Sequence, residues 1–159
     1  KTFYGIGFDI HRLVKNKKLY LGGIIIPFHS GLKGHSDGDV ILHSIIDALL
    51  GALKKKDIGS LYPSNKNKFK NIRSRKMLGP VISLLKDNNF FINNLDINLI
   101  CEKPKVSEYR NKITNSLSKL MNINKKIINL KGKTVEKLGL IGKENAIACE
   151  AIVSINKYE

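Results

Sequence analysis

The chain has 159 residues, of which 42% are hydrophobic and 26% are charged, so it can bury one core, and we expect a single domain over residues 1–159. No apolar stretch approaches the roughly 18 residues of a membrane span and no signal peptide opens the chain, which predicts a soluble protein without a membrane partner. The net charge of +15 comes from scattered lysines with only four arginines, so we expect no nucleic-acid partner.

The first part of the chain predicts a strand, a hairpin and a long helix. Residues 2–10 are β-like, and the apolar run 19–27 is interrupted by two adjacent glycines, as in a hairpin. Apolar residues recur at helical spacing over 39–53, and Ser36 and Asp37 just before them are candidate caps.

The later part of the chain alternates helices and strands. Residues 61–73 are rich in lysine and asparagine, which predicts a mobile loop of a length that usually carries function. A helix follows over 74–87, in which Gly79 and Pro80 predict a kink or a delayed start. The remaining predicted elements are strands at 95–101, 127–135 and 146–155 and a helix at 109–121.

This order of elements predicts an α+β fold in which helices cover one face of a mixed sheet. The other face then needs a cover, and a second subunit is the simplest one. Cys101 and Cys149 lie in separate apolar segments, so we expect both to be reduced core residues in a reducing compartment.

A first group of polar residues suggests a metal site. Asp9 and His11 are two residues apart at the end of a strand, so their side chains point to the same side, although such a triplet is also common by chance. His43 lies in the long helix, four residues from Asp39 and from Asp47, and this stripe also fits a solvated face or a satisfied core histidine. Asp9, His11 and His43 together would give the His₂Asp set of a catalytic zinc site with an open fourth position.

A second feature is the glycine-rich segment 31–39, which precedes the same helix. Glycines let backbone amides approach a ligand closely, and free amides at a helix start attract phosphate. An ordinary capped loop would have the same composition, and the charges of Asp37 and Asp39 weaken the case for phosphate. A metal ion nearby would offset those charges.

These residues resemble the family of 2-C-methyl-D-erythritol 2,4-cyclodiphosphate synthases. The matching motifs are F-D-I-H (8–11), G-H-S-D-G-D-V-x-L-H (34–43), D-A-L-L-G-A (47–52), D-I-G (57–59), V-E-K-L-G (135–139) and A-x-A-C-E-A (146–151). The resemblance covers essentially the whole chain and implies a homotrimer of ferredoxin-like α+β subunits, with a mixed β-sheet, helices on one face and active sites at the subunit interfaces.

The resemblance also implies the reaction. Such enzymes are metal-dependent phosphorus-oxygen lyases of non-mevalonate isoprenoid biosynthesis. They convert 4-diphosphocytidyl-2-C-methyl-D-erythritol 2-phosphate to 2-C-methyl-D-erythritol 2,4-cyclodiphosphate and CMP. The implied compartment is the bacterial cytoplasm or a plastid-like organelle, either apicoplast or chloroplast stroma.

Individual residues receive roles from the same resemblance. The zinc ligands match Asp9, His11 and His43, and Glu136 matches the carboxylate that holds a magnesium or manganese ion. The implied catalytic residues are His35, Thr134 and Glu136. The implied contacts to the substrate phosphates and the methylerythritol moiety are His35, Ser36, Asp57, Ile58, Gly59 and Ser64. The implied substrate contacts from the neighbouring subunit, including its cytidine pocket, are Cys101, Lys103, Pro104, Lys105, Val106, Lys131, Gly132, Lys133 and Thr134, and Lys143 is counted with the substrate-binding residues.

Three positions depart from the family pattern. Ser64 stands where the family usually has aspartate, and Lys133 stands where a small hydroxyl residue is common. Lys143 replaces an arginine that often faces the trimer axis, which argues against an isoprenoid diphosphate in the central cavity, because lysine offers a point charge rather than a bidentate grip.

Two other function classes fit parts of the sequence. A structural trimer could keep the metal site without turnover, but the retained metal ligands, Thr134 and Glu136 argue against it. A basic RNA-binding domain of ferredoxin-like shape would carry aromatic stacking residues on its sheet, and the sequence has no such run.

Overall fold

The computed structural model describes every residue from Lys1 to Glu159, and its main elements follow the predicted order. The strands are β1 (Thr2–Lys15), β2 (Leu19–Leu21), β3 (Ile24–Ile26), β4 (Ser30–Leu32), β5 (Phe90–Ile100), β6 (Ile128–Lys133) and β7 (Ala146–Lys157). The helices are α1 (Val40–Ala52), α2 (Ile58–Leu61), α3 (Ser74–Asp87), α4 (Val106–Met121) and α5 (Gly139–Gly142), with 3₁₀ turns at Asn67–Phe69 and Lys125–Ile127.

Five strands form one mixed sheet in the order β4-β1-β7-β5-β6, and β2 pairs with β3 in a separate hairpin. All neighbours in the large sheet are antiparallel except β5 and β6, which run parallel and are joined by α4. Strands β1 and β7 pair from Thr2 opposite Asn156 to Arg12 opposite Ala146. The predicted α+β fold is therefore confirmed.

The strand connections differ from the ferredoxin-like ones that were expected. A ferredoxin-like domain follows the order β-α-β-β-α-β. Here the large sheet is built in the order β-α-β-α-β-β, when the short strand β4 and the one-turn helices are set aside. The physical reason is the parallel pair of β5 and β6, because parallel neighbours need a crossover connection, which α4 provides. Strand β7 then returns antiparallel between β1 and β5.

Helix α1 lies directly against strand β1. Gly5 and Gly7 permit this approach, because a Cβ atom at either position would collide with the carbonyl oxygen of Ala48 or of Ser44 in the helix. Helices α3 and α4 join α1 over the sheet, and one cluster of buried apolar side chains fills the space between. The side of β1 that faces α1 also carries the strand residues predicted to bind metal.

The opposite face of the sheet carries exposed apolar side chains. Tyr4, Ile6 and Phe8 of β1 are 70%, 69% and 55% exposed, and Ile152 of β7 is 49% exposed. An apolar patch of this kind usually marks an interaction surface. That a second subunit covers this face stays a prediction.

The N-cap of α1 is Asp39, which corrects the expectation that Ser36 or Asp37 caps the helix. The Asp39 side chain is fully buried, and its burial raises the pKa of the carboxyl group. Its oxygens accept hydrogen bonds from the amides of Gly22, Gly23 and Leu42, at 3.0, 2.7 and 3.0 Å. Asp39 therefore joins the helix to the β2–β3 hairpin and does not face the predicted metal site.

Other element bounds also differ from the expected ones. Strand β1 continues past residue 10 to Lys15, where it pairs with the unpredicted strand β4. Helix α3 begins at Ser74 and continues through Pro80, so the proline does not delay its start. Both cysteines are free and buried, as predicted. None of the helices combines the length and the apolar composition needed to cross a bilayer.

Candidate metal centre and substrate pocket

Asp9, His11 and His43 converge where the end of β1 meets α1. The Oδ2 atom of Asp9 lies 2.9 Å from Nε2 of His11 and 2.9 Å from Nδ1 of His43. One ligand atom from each residue lies within 4.8 Å of the other two. The two residues of β1 meet because alternate strand residues share a face, and His43 faces them from the helix above. The predicted convergence is confirmed.

The electrostatics of the group favour an ionised carboxylate. Burial raises the pKa of Asp9, but the adjacent rings of His11 and His43 outweigh burial and lower the pKa to about 2. The hydrogen bond to Asp9 raises the pKa of His11, against the opposing effect of burial. A negative oxygen thus lies between two imidazole rings at neutral pH.

Each of the two imidazole rings has a second nitrogen, and the partner of that nitrogen tests whether Asp9, His11 and His43 fit a metal ion. Nδ1 of His11 lies 2.8 Å from the carbonyl oxygen of Lys33, so this nitrogen donates and Nε2 is left for a ligand. Nε2 of His43 lies 2.8 Å from Oγ of Ser74, which leaves Nδ1 of that ring facing Asp9. Metal-binding histidines almost always donate their second nitrogen in this way. Two imidazole nitrogens and one carboxylate fit a zinc ion with one open position.

A cavity of about 210 Å³ opens beside these three residues. Five of the residues predicted to contact the substrate line it, namely His35, Ser36, Ile58, Gly59 and Ser64. Its apolar wall was not predicted and consists of Tyr62, Phe69, Ile72 and Met77. Such a wall of apolar side chains with a few polar groups is typical of a small-molecule site.

The segment 57–59 is positioned by two carboxylates. Asp47 of α1 accepts a hydrogen bond from the amide of Ile58 at 2.7 Å, and burial raises the pKa of Asp47. Asp57 caps α2 and accepts hydrogen bonds from the amide and hydroxyl of Ser60, which lower the pKa of Asp57. Asp57 itself is exposed and does not line the cavity. Of the predicted polar stripe of Asp39, His43 and Asp47 on α1, only His43 belongs to the metal group. The carboxylates of Asp39 and Asp47 instead accept hydrogen bonds from backbone amides.

A second cavity of about 210 Å³ lies at the ends of β5 and β6. Seven of the residues predicted for the neighbouring subunit line it, namely Cys101, Pro104, Lys105, Val106, Gly132, Lys133 and Thr134. Lys131 is not among its walls, because its ammonium group lies 2.9 Å from Oδ2 of Asp96. Lys103 is exposed outside it. The two cavities share no lining residue, so one chain holds the predicted residues in two separate groups.

Glu136 and Lys143 line neither cavity. Glu136 is exposed just after β6 and has a positive φ of 54°, and Lys143 is exposed at the end of α5. Their predicted roles stay predictions. The largest cavity, about 520 Å³, is an open groove between β3, α3 and α4 that contains none of the predicted site residues.

The sequence did not point to the buried residues behind His43. Ser74 and Asp37 contact each other and lie next to the metal group, but only Asp37 was considered, as a helix cap and as a charge in the glycine-rich segment. Ser74 follows His43 by 31 residues, so no helical or strand periodicity links the two. The only local signal was that Ser74 opens a predicted helix.

Comparison with known proteins decides the family. Residues 2–156 match the model of the YgbB family. This chain belongs to the YgbB family. It is 54% identical over 156 residues to the bifunctional enzyme IspD/IspF of Pelagibacter ubique, and it spans 42% of the length of that relative. It is 45% identical to the 2-C-methyl-D-erythritol 2,4-cyclodiphosphate synthase of Caldicellulosiruptor bescii, with 95% of this chain and 96% of that protein covered.

Solved structures of similar proteins have the same fold. The bifunctional IspDF of Campylobacter jejuni superposes with a TM-score of 0.95 at 36% identity, over 100% of this chain and 43% of that one. IspF of Plasmodium falciparum, in a complex with CDP, superposes with a TM-score of 0.88 at 40% identity, over 99% of this chain and 97% of that one. The resemblance expected from the motifs is therefore confirmed.

Proposed function

We propose that this chain is a 2-C-methyl-D-erythritol 2,4-cyclodiphosphate synthase. The observation that carries the proposal is the convergence of Asp9, His11 and His43 beside a cavity lined by the residues that the family motifs assign to the substrate. The substrate is 4-diphosphocytidyl-2-C-methyl-D-erythritol 2-phosphate, and the products are the cyclic diphosphate and CMP. Relatives that this chain matches over nearly their whole length carry the same name, which supports the assignment.

The reaction needs no nucleophile from the protein. An oxygen of the 2-phosphate attacks the β-phosphorus, the bond from that phosphorus to the CMP oxygen breaks, and CMP leaves with the electron pair. Because two anionic groups must approach each other, the protein contributes by positioning them and by offering positive partners. His35 and Ser36 line the cavity next to the metal group, where both can donate hydrogen bonds to phosphate oxygens.

The proposed cofactors are a zinc ion and a magnesium or manganese ion. Zinc in the Asp9, His11 and His43 group would act as a Lewis acid on a phosphate oxygen. Magnesium is commonly bound by one or two carboxylates together with substrate phosphates, and the exposed carboxylate of Glu136 offers such a ligand. Thr134, two residues before Glu136, lines the second cavity and would orient the diphosphate of the substrate.

We also propose that the active form is a homotrimer with its sites between subunits. In one chain, the metal group and the residues predicted to bind cytidine line two cavities that share no residue. A neighbouring copy would therefore complete each site. The exposed apolar side chains of Tyr4, Ile6, Phe8 and Ile152 supply a surface that such a copy would bury. We further propose that residues 1–159 act as one domain and that the compartment is the bacterial cytoplasm or a plastid-like organelle.

The activity is tested by CMP release from the purified chain. We expect release in the presence of zinc and magnesium, loss of release in chelator, and recovery when both ions are returned. Metal analysis of the untreated protein would identify the native ion. A protein that binds metal but releases no CMP would be the structural trimer, and salt-dependent RNA retention without CMP release would identify a nucleic-acid-binding protein.

The shared site is tested by mixing two inactive variants, His43→Ala and Thr134→Ala. Random trimers from an equal mixture should recover about one quarter of the wild-type activity, because each site takes one group from each of two subunits. No recovery in a mixed trimer would mean that each subunit uses its own two groups.

A further inference from the structure

We infer that Ser74, held by Asp37, is a positioning residue that fixes the imidazole of His43 with Nδ1 directed at the metal site. This inference rests on the metal site of the proposed function. Ser74 is the first residue of α3, is fully buried, and does not line the substrate cavity. It therefore acts on the site only through His43.

The hydrogen bonds of Ser74 have only one consistent direction. Its amide donates to Oδ2 of Asp37 at 2.9 Å, and its hydroxyl contacts Oδ1 of the same carboxylate at short range. An ionised carboxylate can only accept hydrogen bonds, so the hydroxyl group of Ser74 donates its hydrogen bond to Asp37. The Ser74 oxygen must then accept from Nε2 of His43, which lies 2.8 Å away.

This direction fixes the tautomer of His43. With the proton on Nε2, the lone pair of Nδ1 faces Oδ2 of Asp9 at 2.9 Å. A lone pair and a carboxylate oxygen repel each other at that distance unless a cation lies between them. The chain from Asp37 through Ser74 thus prepares His43 to bind a cation rather than to donate to Asp9, which is the tautomer that a metal ligand needs.

Asp37 is itself held in place. It is 8% exposed, accepts a hydrogen bond from the amide of Asp39 at 3.2 Å, and lies 3.4 Å from Nε of Arg73. Because Arg73 directly precedes Ser74, two adjacent residues supply a cation and a hydroxyl group to the carboxylate of Asp37. Ser36 offers the His43 ring a second, longer contact of 3.1 Å, but its position on the cavity wall leaves it available to a ligand.

The inference is tested by zinc affinity, measured by competition with a chelator in the absence of substrate. Ser74→Ala and Asp37→Asn should each weaken zinc binding by about 10- to 100-fold, and Ser74→Thr should restore most of it because it keeps the hydroxyl. Ser154→Ala is the matched control, since Ser154 is also buried and bonded to a side chain, but lies on β7 away from His43. Its zinc affinity should equal that of the wild type.

A second measurement needs no substitution. Nitrogen NMR of the zinc-loaded wild-type chain should find His43 protonated at Nε2 and bound to metal through Nδ1. At saturating zinc, the loss of CMP release in Ser74→Ala should shrink, which a purely structural defect would not do. Metal on Nε2, or unchanged zinc affinity in both Ser74→Ala and Asp37→Asn, would overturn the inference and leave the proposed function standing. Weakened zinc binding in a chain whose wild type releases no CMP would overturn the function and keep the inference.

Discussion

Nδ1 of His11 donates to the carbonyl oxygen of Lys33 over 2.8 Å, so a backbone group fixes which nitrogen of this ring faces Asp9. The two histidines of the metal group are thus oriented by different means. A main-chain carbonyl holds His11, and the side chain of Ser74 holds His43. Only the second can be altered by substituting a residue behind the ring.

We expect His11→Ala to remove metal binding while leaving the fold intact. One of three ligands is lost, so CMP release should fall by about 10³-fold or more. Zinc content and CMP release measure the effect, and the unfolding free energy in chelator should change by less than about 1 kcal/mol. The matched control is His29→Ala, because His29 is exposed, lies outside the cavity, and its ring contacts Phe28 and Ser30. Turnover close to that of the wild type would exclude His11 as a ligand.

Asp39→Ala should destabilise the chain rather than act on chemistry. The substitution leaves three amides without their acceptor, two of them in the hairpin, and we expect a loss of about 3 kcal/mol in urea unfolding. Asn124→Ala removes an exposed cap from a 3₁₀ turn and should have a much smaller effect. Equal losses in the two variants would mean that Asp39 acts only as a local cap.

The carboxyl group of Asp47 should make stability depend on pH. Burial raises its pKa in the folded chain above the ordinary value of 3.8, so the folded chain keeps this proton to a higher pH than the unfolded chain. The stability from this group is therefore present at low pH and decreases as pH rises from about 4 towards the folded pKa. Asp47→Asn removes this dependence, so its unfolding free energy relative to wild type should increase over that interval. If the unfolding free energies of Asp47→Asn and of the wild type changed with pH in parallel, the raised pKa of Asp47 would be contradicted.

Both cysteines should resist alkylation in the folded chain. Burial raises the pKa of Cys101 to about 12 and also raises the pKa of Cys149, and the thiolate is the reactive form. With iodoacetamide at pH 8, labelling followed by mass spectrometry should be on the order of 10³-fold slower in buffer than in urea. Rapid labelling of Cys101 in buffer would mean that the second cavity opens to solvent.

The ligands of the metal group could be predicted because local periodicity places them. Alternation in β1 puts Asp9 and His11 on one side, and the apolar spacing of α1 identifies the helix that carries His43. Their convergence is a tertiary fact, which the chemistry of a His₂Asp zinc site suggested and the family motifs supported. The support behind His43 was missed because Asp37 and Ser74 are 37 residues apart and their pairing depends on where α3 begins.

The fold was predictable in outline for the same reason. The order of strands and helices follows from patterns within each segment, whereas strand connectivity depends on contacts between distant segments. The parallel pairing of β5 with β6 and the insertion of β7 beside β1 therefore escaped a local analysis. The short strand β4 was missed because three residues are too few to establish a period.

The contact of Gly5 and Gly7 with the main chain of α1 also determines the width of the ion site. Oδ2 of Asp9 on the strand lies 2.9 Å from Nδ1 of His43 on the helix, and at Gly5 and Gly7 no side chain separates the two backbones. A single methyl group added at Gly7 would push the helix outwards and draw His43 away from Asp9 without altering any ligand. The geometry of this metal site is therefore set by two residues that have no functional groups of their own.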